Sequence, residues 1–176
     1  MNLSIFLLSL DVENKWKCNT WIDWLTGLAT DVADPLNSYY THCSSFVSSV
    51  CYQLNVPMLI PNIMLKIGSE GLANKQYKWL ETEGIAKGWV LMQSALEAQL
   101  EANKNNLVIA CYHNNKNQNE GHVAIVCPFS RFTQEDINKY GVRICQSGWI
   151  NTTSSDAVNL FYYDDLKNYV YYSHKL

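Results

Sequence analysis

Residues 39–54 read Tyr39-Tyr40-Thr41-His42-Cys43-Ser44-Ser45-Phe46-Val47-Ser48-Ser49-Val50-Cys51-Tyr52-Gln53-Leu54. Apolar residues at 46, 47, 50, 51 and 54 share one face of an α-helix, while four serines lie off that stripe, so the spacing predicts an amphipathic helix. Thr41 is the expected N-cap, and Pro57 ends the helix shortly after Leu54. Cys43 then falls in the first turn. There the free amides and the positive end of the helix dipole favour thiolate over thiol, as a cysteine nucleophile requires. Most cysteines are small buried hydrophobes, and Cys51, on the apolar stripe, fits that description. Cys43, among Thr, His and Ser, fits the reactive one better.

Working outward, the period changes from helical to extended after residue 106. Residues 107–113 read as a buried strand, 114–121 as a polar loop and 122–127 as a second strand, together a β-hairpin. Residues 142–147 and 169–173 supply two more strands. Ahead of them, residues 3–30 read as helical, with Trp16, Trp21 and Trp24 as core groups. A Pro35-containing loop at 31–38 delivers the chain to the Cys43 helix, and residues 56–61 leave it extended. Residues 62–88 are mixed short helical pieces punctuated by glycines, and 89–102 form a helix. Thr133-Gln134-Glu135-Asp136 opens another with a capping-box-like start. Helices first and an antiparallel sheet afterwards define an α+β chain, one domain over residues 1–176.

Composition sets limits on function. The 176 residues are 48% hydrophobic and 12% aromatic, enough for a sizeable core. Only 16% are charged, and a net charge of −3 with two arginines gives no electrostatic footprint for nucleic acid. The apolar run at residues 3–10 is far short of the roughly 20 residues that cross a bilayer. With no Lys or Arg before it, the run reads as the start of a packed helix rather than an export signal or membrane anchor. Six cysteines in a chain this long do not make a disulfide scaffold. Free thiols are the default, with a Cys18–Cys51 pair as the open alternative.

A thiol hydrolase needs a base within reach of the nucleophile and a third polar group that holds the base in place. His122, opening a strand after Gly121, is the best base, with its imidazole at the sheet edge. His113, at the far end of the hairpin loop, belongs in solvent; His42 is adjacent to Cys43 and cannot face it; His174 lies in the tail. Gln146 and Ser147, on the strand that follows, point to opposite faces, so only one can face His122. Gln146 is favoured for its amide oxygen. Cys111-Tyr112-His113 has no second pair at zinc spacing and the polar loop has a single carboxylate, Glu120, so no metal and no cofactor are expected.

The segments 42–50, 54–58, 107–110, 121–126 and 168–173 stand in the order His42-Cys43-Ser44-Ser45-Phe46-Val47-Ser48-Ser49-Val50, Leu54-Asn55-Val56-Pro57-Met58, Leu107-Val108-Ile109-Ala110, Gly121-His122-Val123-Ala124-Ile125-Val126 and Asn168-Tyr169-Val170-Tyr171-Tyr172-Ser173. Together they resemble the first family of type VI secretion amidase effectors, papain-like, NlpC-type cell-wall amidases. The resemblance covers residues 41–173. It implies Cys43 as nucleophile at a helix N-terminus packed on an antiparallel sheet, and His122 as base. It leaves the third position open between Gln146 and Ser147. It also implies hydrolysis of a peptidoglycan stem-peptide amide, typically γ-D-glutamyl to diaminopimelate. Such a protein is made in a bacterial cytoplasm, secreted, and acts in a target cell's periplasm, with a possible cognate immunity protein as partner. Two other readings keep fewer of these implications. One is the same dyad acting on a host protein or a housekeeping wall peptide; the other is a wall-binding domain without catalysis.

Overall fold

The computed structural model describes residues 1–31, 41–61, 71–114, 121–131, 133–161 and 166–176. The expected Pro35 loop, the first pieces of the mixed segment at 62–70 and the interior of the polar hairpin loop, with Glu120, lie outside the described residues. Helices α1 (Leu3–Ser9), α2 (Cys43–Gln53), α3 (Leu72–Trp79), α4 (Ala95–Asn103) and α5 (Gln134–Tyr140) accompany six strands. These are β1 (Val90–Leu91), β2 (Leu107–Tyr112), β3 (His122–Val126), β4 (Arg143–Gln146), β5 (Thr152–Asp156) and β6 (Tyr169–His174). They form one sheet in the order β1-β6-β2-β3-β4-β5, antiparallel at every pairing. The chain is therefore α+β, as the order of its helical and extended segments predicts.

Alternation along the central strands explains why they read as unbroken apolar runs. Leu107, Ile109, Cys111, Val123 and Ile125 face one core, with α1, α2, Trp16 and Trp79. Val108, Ala110, Ala124 and Val126 face a second, with Ala98 and Ala102 of α4 and Ile137 of α5. A strand covered on both faces has no polar side to show. The β2–β3 hairpin pairs Tyr112 with His122 and Val108 with Val126, so His122 lies directly across from the end of β2.

Helix α2 differs from the amphipathic expectation. Residues 43–51 are all buried, serines included, and only Tyr52 and Gln53 at its end are exposed. Each buried hydroxyl therefore needs a partner. Ser48 Oγ donates to the Leu59 carbonyl at 3.0 Å, and Ser49 Oγ donates to the Leu25 carbonyl. Gln76 Nε2, from α3, donates to Ser44 O and to Ser48 Oγ at 3.1 and 2.9 Å. The serines are an inner polar seam and not a solvent face. The helix ends at Gln53 with Asn55 in the left-handed region (φ 55°), two residues before Pro57 could stop it, and residues 56–60 have no regular secondary structure.

Two further expectations are corrected. Residues 3–30 are not one helix: after α1 the backbone takes left-handed φ at Asp11, Trp16 and Asn19, and a short bridge joins Ile22 to Ala29. A β-carbon on Gly27 would come within 2.2 Å of the Trp16 ring, so glycine is required where this coil closes over the tryptophan. Trp16 is a core group, while Trp21 and Trp24 are half-buried. The helix expected from residue 89 starts only at Ala95. Ser94 caps it by accepting from Glu97 N–H, and Glu97 Oε2 accepts from Gln93 N–H at 2.6 Å. That serine-to-glutamate spacing is a start signal which outranks the apolar spacing before it, and Val90–Leu91 pairs with β6 instead. The start at Thr133 holds: Thr133 Oγ1 accepts from Asp136 N–H. Residues 71–88 gather into α3 and a π-helical turn, Leu80–Gly84, that continues it. All six cysteines are free, so Cys18 and Cys51 are not paired. Among the described residues, no helix is long and apolar enough to cross a membrane.

Candidate functional site

Helix α2 begins at Cys43 itself. His42, not Thr41, occupies the cap position, and no side chain caps the first turn. The His42 ring is turned away, its Nε2 on the Thr20 carbonyl at 3.0 Å, and burial holds its pKa below the ordinary value, so it is neutral. The positive end of the helix is thereby left directed at the Cys43 region.

Strand β3 meets that helix end for a topological reason. Strand β4 pairs with β3 only at Ile125 and Val126, which leaves one side of His122 and Val123 without a strand neighbour among the described residues. Cys43 fills the gap. Its thiol is acted on by both the Val123 backbone N–H and His122, and its sulphur lies 3.9 Å from Ser44 Oγ. His122 therefore sits at the open end of a central strand, half-buried, rather than at a sheet edge.

The imidazole is fixed on its other side. His122 Nε2 donates to Gln146 Oε1 at 2.8 Å, and Gln146 Nε2 donates to the Ile150 carbonyl at 3.0 Å. The second bond settles the amide orientation, so Gln146 presents oxygen, and oxygen can only accept. With Nε2–H committed, Nδ1 is the nitrogen left for Cys43. Phe161 closes edge-on against the ring, centroids 5.4 Å apart. Gly121, just before His122, has no room for a side chain: a β-carbon would lie 2.0 Å from Asn74 Oδ1. The glycine of the Gly-His pair thus lets α3 pack tightly beside the imidazole.

Electrostatics separate Cys43 from three other cysteines. Burial pushes the Cys43 thiol up, but the charge and hydrogen bond of His122, the Val123 N–H and the Ser44 hydroxyl outweigh it, and the net shift is down. For His122, burial pushes down and the Cys43 charge and the bonds to Cys43 and Gln146 push up, with a net rise. The two shifts share one cause, the attraction between a negative Cys43 sulphur and a positive His122 ring. Burial raises Cys51 and Cys111; Cys145 is raised by its hydrogen bond to Cys127 and then by burial, so all three stay thiols.

Of the four residues singled out from sequence, the structure brings Cys43, His122 and Gln146 together and not Ser147. Ser147 Oγ donates to the Trp16 carbonyl at 2.9 Å, so it anchors the N-terminal coil on the far side of the strand. His113 is not in solvent either: its ring stacks on Tyr77 at 4.9 Å, and its Nε2 is buried without a hydrogen-bond partner. His174 lies in β6 against Trp89. The Val123 N–H and the ring of Phe161 were not legible as site groups. A backbone donor is exposed only by sheet register, and Phe161 carries no local motif. Among the described residues, no three His, Cys, Asp or Glu side chains cluster as metal ligands would.

Gln146→Ala should lower kcat roughly ten- to a hundredfold, the equivalent of a charge-assisted hydrogen bond worth about 1.5–3 kcal/mol. Ser147→Ala should leave kcat near wild type and cost about 1 kcal/mol of stability. Steady-state kinetics with thermal unfolding of both variants checks this; a turnover defect in Ser147→Ala with none in Gln146→Ala would reverse the assignment.

The chain is thus an α+β protein in which a cysteine at a helix N-terminus meets a glutamine-oriented histidine on an antiparallel sheet. No protein-family model matches it, and no curated protein matches it.

Proposed function

We propose that the protein is a papain-like, NlpC-type cysteine amidase that hydrolyses a stem-peptide amide of peptidoglycan, the γ-D-glutamyl to diaminopimelate bond in particular. The observation that carries the proposal is the Cys43–His122–Gln146 array, with its 2.8 Å His122–Gln146 bond and a thiol pKa pulled down at a helix start. The resemblance of five ordered segments to the first family of type VI amidase effectors supplies the substrate.

In this mechanism the Cys43 thiolate attacks the amide carbonyl carbon. The oxygen, becoming negative, is met by the Cys43 backbone N–H at the start of α2. His122, held as imidazolium, gives its Nδ1 proton to the departing amine, which leaves as the C–N bond breaks. Water then attacks the thioester while His122 takes its proton, releasing the acid and restoring the thiolate. Gln146 keeps the ring in one orientation through both steps. The protein would be secreted as an antibacterial effector and act in the periplasm of the target cell, with a cognate immunity protein protecting the producer.

Digestion of purified sacculi followed by mass spectrometry of the soluble fragments tests the proposal. The expected products are fragments cut between D-glutamate and diaminopimelate; intact sacculi after prolonged digestion would exclude the wall as substrate. In cells, expression with a periplasmic signal peptide should cause lysis and cytoplasmic expression should not, because the crosslinked wall is only in the periplasm. Equal toxicity in both compartments would point to an intracellular target.

A further inference from the structure

Trp149 and Ile150 stand 70% and 59% exposed at the end of β4, although large apolar side chains in a well-packed chain are usually covered. Their backbone is held firmly. Gly148 N–H donates to Asn151 Oδ1 at 3.0 Å, and Asn151 Nδ2 donates to the carbonyls of Val12 and Lys15 at 2.9 and 2.7 Å. The Ile150 carbonyl accepts from Gln146. The turn is therefore an anchored platform that directs two apolar groups outward.

The platform adjoins the dyad. A β-carbon on Gly148 would lie 3.5 Å from His122 Cε1, so the loop backbone runs along the imidazole, and Trp149 is the next residue. Position relative to the histidine has a chemical meaning. The imidazolium must reach the nitrogen of the breaking bond, so the departing-amine half of the substrate comes next to His122 and within reach of the loop that runs along it.

We infer that Trp149 and Ile150 form the binding wall for the leaving-amine side of the substrate, packing against the methylenes of the residue that bears the amine and so setting the preference for a long side chain there. This rests on the amidase reading. An indole face and a branched aliphatic chain together match a linear hydrocarbon stem. A wall this open keeps one side of its ligand wet, which suits a chain that packs its methylenes and leaves its charged head in water. A glycine at that position would touch neither group.

Kinetics on two synthetic γ-D-glutamyl amides, one with lysine or diaminopimelate as the leaving residue and one with glycine, test this. Wild type should favour the long-chain amide by about tenfold in kcat/KM, the scale of burying a few methylenes. Trp149→Ala should remove most of that preference through KM, with Trp149→Phe retaining part of it and Ile150→Ala giving a smaller loss. If Trp149→Ala and Ile150→Ala both keep the wild-type preference, the wall assignment is overturned while the amidase reading stands. If wild type cleaves neither amide, both are overturned.

Discussion

Cys43→Ala should abolish hydrolysis, with turnover falling on the order of 10⁴-fold or more, because no other group on the site can form the covalent intermediate. Cys51 and Cys111 cannot substitute, since burial holds both as neutral thiols. The fold should survive. The substitution removes one sulphur from a side chain at the mouth of α2, a change worth about 1 kcal/mol and a fall in Tm of roughly 2–4 °C in a chain of this size. Assay of sacculus digestion beside thermal unfolding separates the two effects. Residual activity above a hundredth of wild type in a contamination-free preparation would remove Cys43 from the mechanism.

His122→Ala should cost on the order of 10²–10⁴ in kcat, the range for loss of a general acid and base. It should also change the thiol in a defined direction. Burial is the largest influence on Cys43 and it acts upward; once the imidazolium is gone, only the Val123 N–H and the Ser44 hydroxyl oppose it. The thiol pKa therefore rises, the thiolate fraction at neutral pH falls, and iodoacetamide should label Cys43 more slowly, by roughly tenfold or more at pH 7. In wild type the pair should set both limbs of the activity profile. Activity should be lost on the acid side as pH falls through the lowered Cys43 pKa, and on the alkaline side as pH rises through the raised His122 pKa and the leaving amine loses its proton donor. A labelling rate and pH profile unchanged by His122→Ala would show that the two groups are not coupled.

How much of this was legible in sequence depended on the range of the interaction that decides each feature. Strands β2 and β3 follow from composition alone, because both their faces are buried. The placement of Cys43 in the first turn of a helix follows from local spacing. Its correct cap does not, because the choice between Thr41 and His42 is settled by Thr20, a residue more than twenty positions earlier that holds the His42 ring. Gln146 and Ser147 can be told apart only by register, and the β4–β5 pairing is irregular between Ile144 and Gln146. Strand β5, Thr152–Asp156, has no apolar alternation; Arg143 holds it by donating to Ser154 and Asp156. The coil after α1 departs from the helix its sequence suggests for a similar reason. Its tryptophans look like helix-core groups, but left-handed residues at positions 11, 16 and 19 turn the chain back on itself.

The anchoring of the N-terminal coil has a consequence for when the protein becomes chemically competent. Ser147 reaches Trp16 across 131 positions and Asn151 reaches Lys15 across 136, immediately beside the glutamine that steadies His122. Contacts this distant in sequence carry a large loop-closure entropy and form late in folding. The thiol is activated only after its helix has met β3, and the histidine is steadied only after the first residues have closed over β4. A chain still being synthesised, or held unfolded in transit, would therefore carry an ordinary cysteine and an ordinary histidine. In a refolding experiment, rapid iodoacetamide labelling of Cys43 should therefore appear with the phase in which α2 docks on β3, and full activity only with the closure of the N-terminal coil.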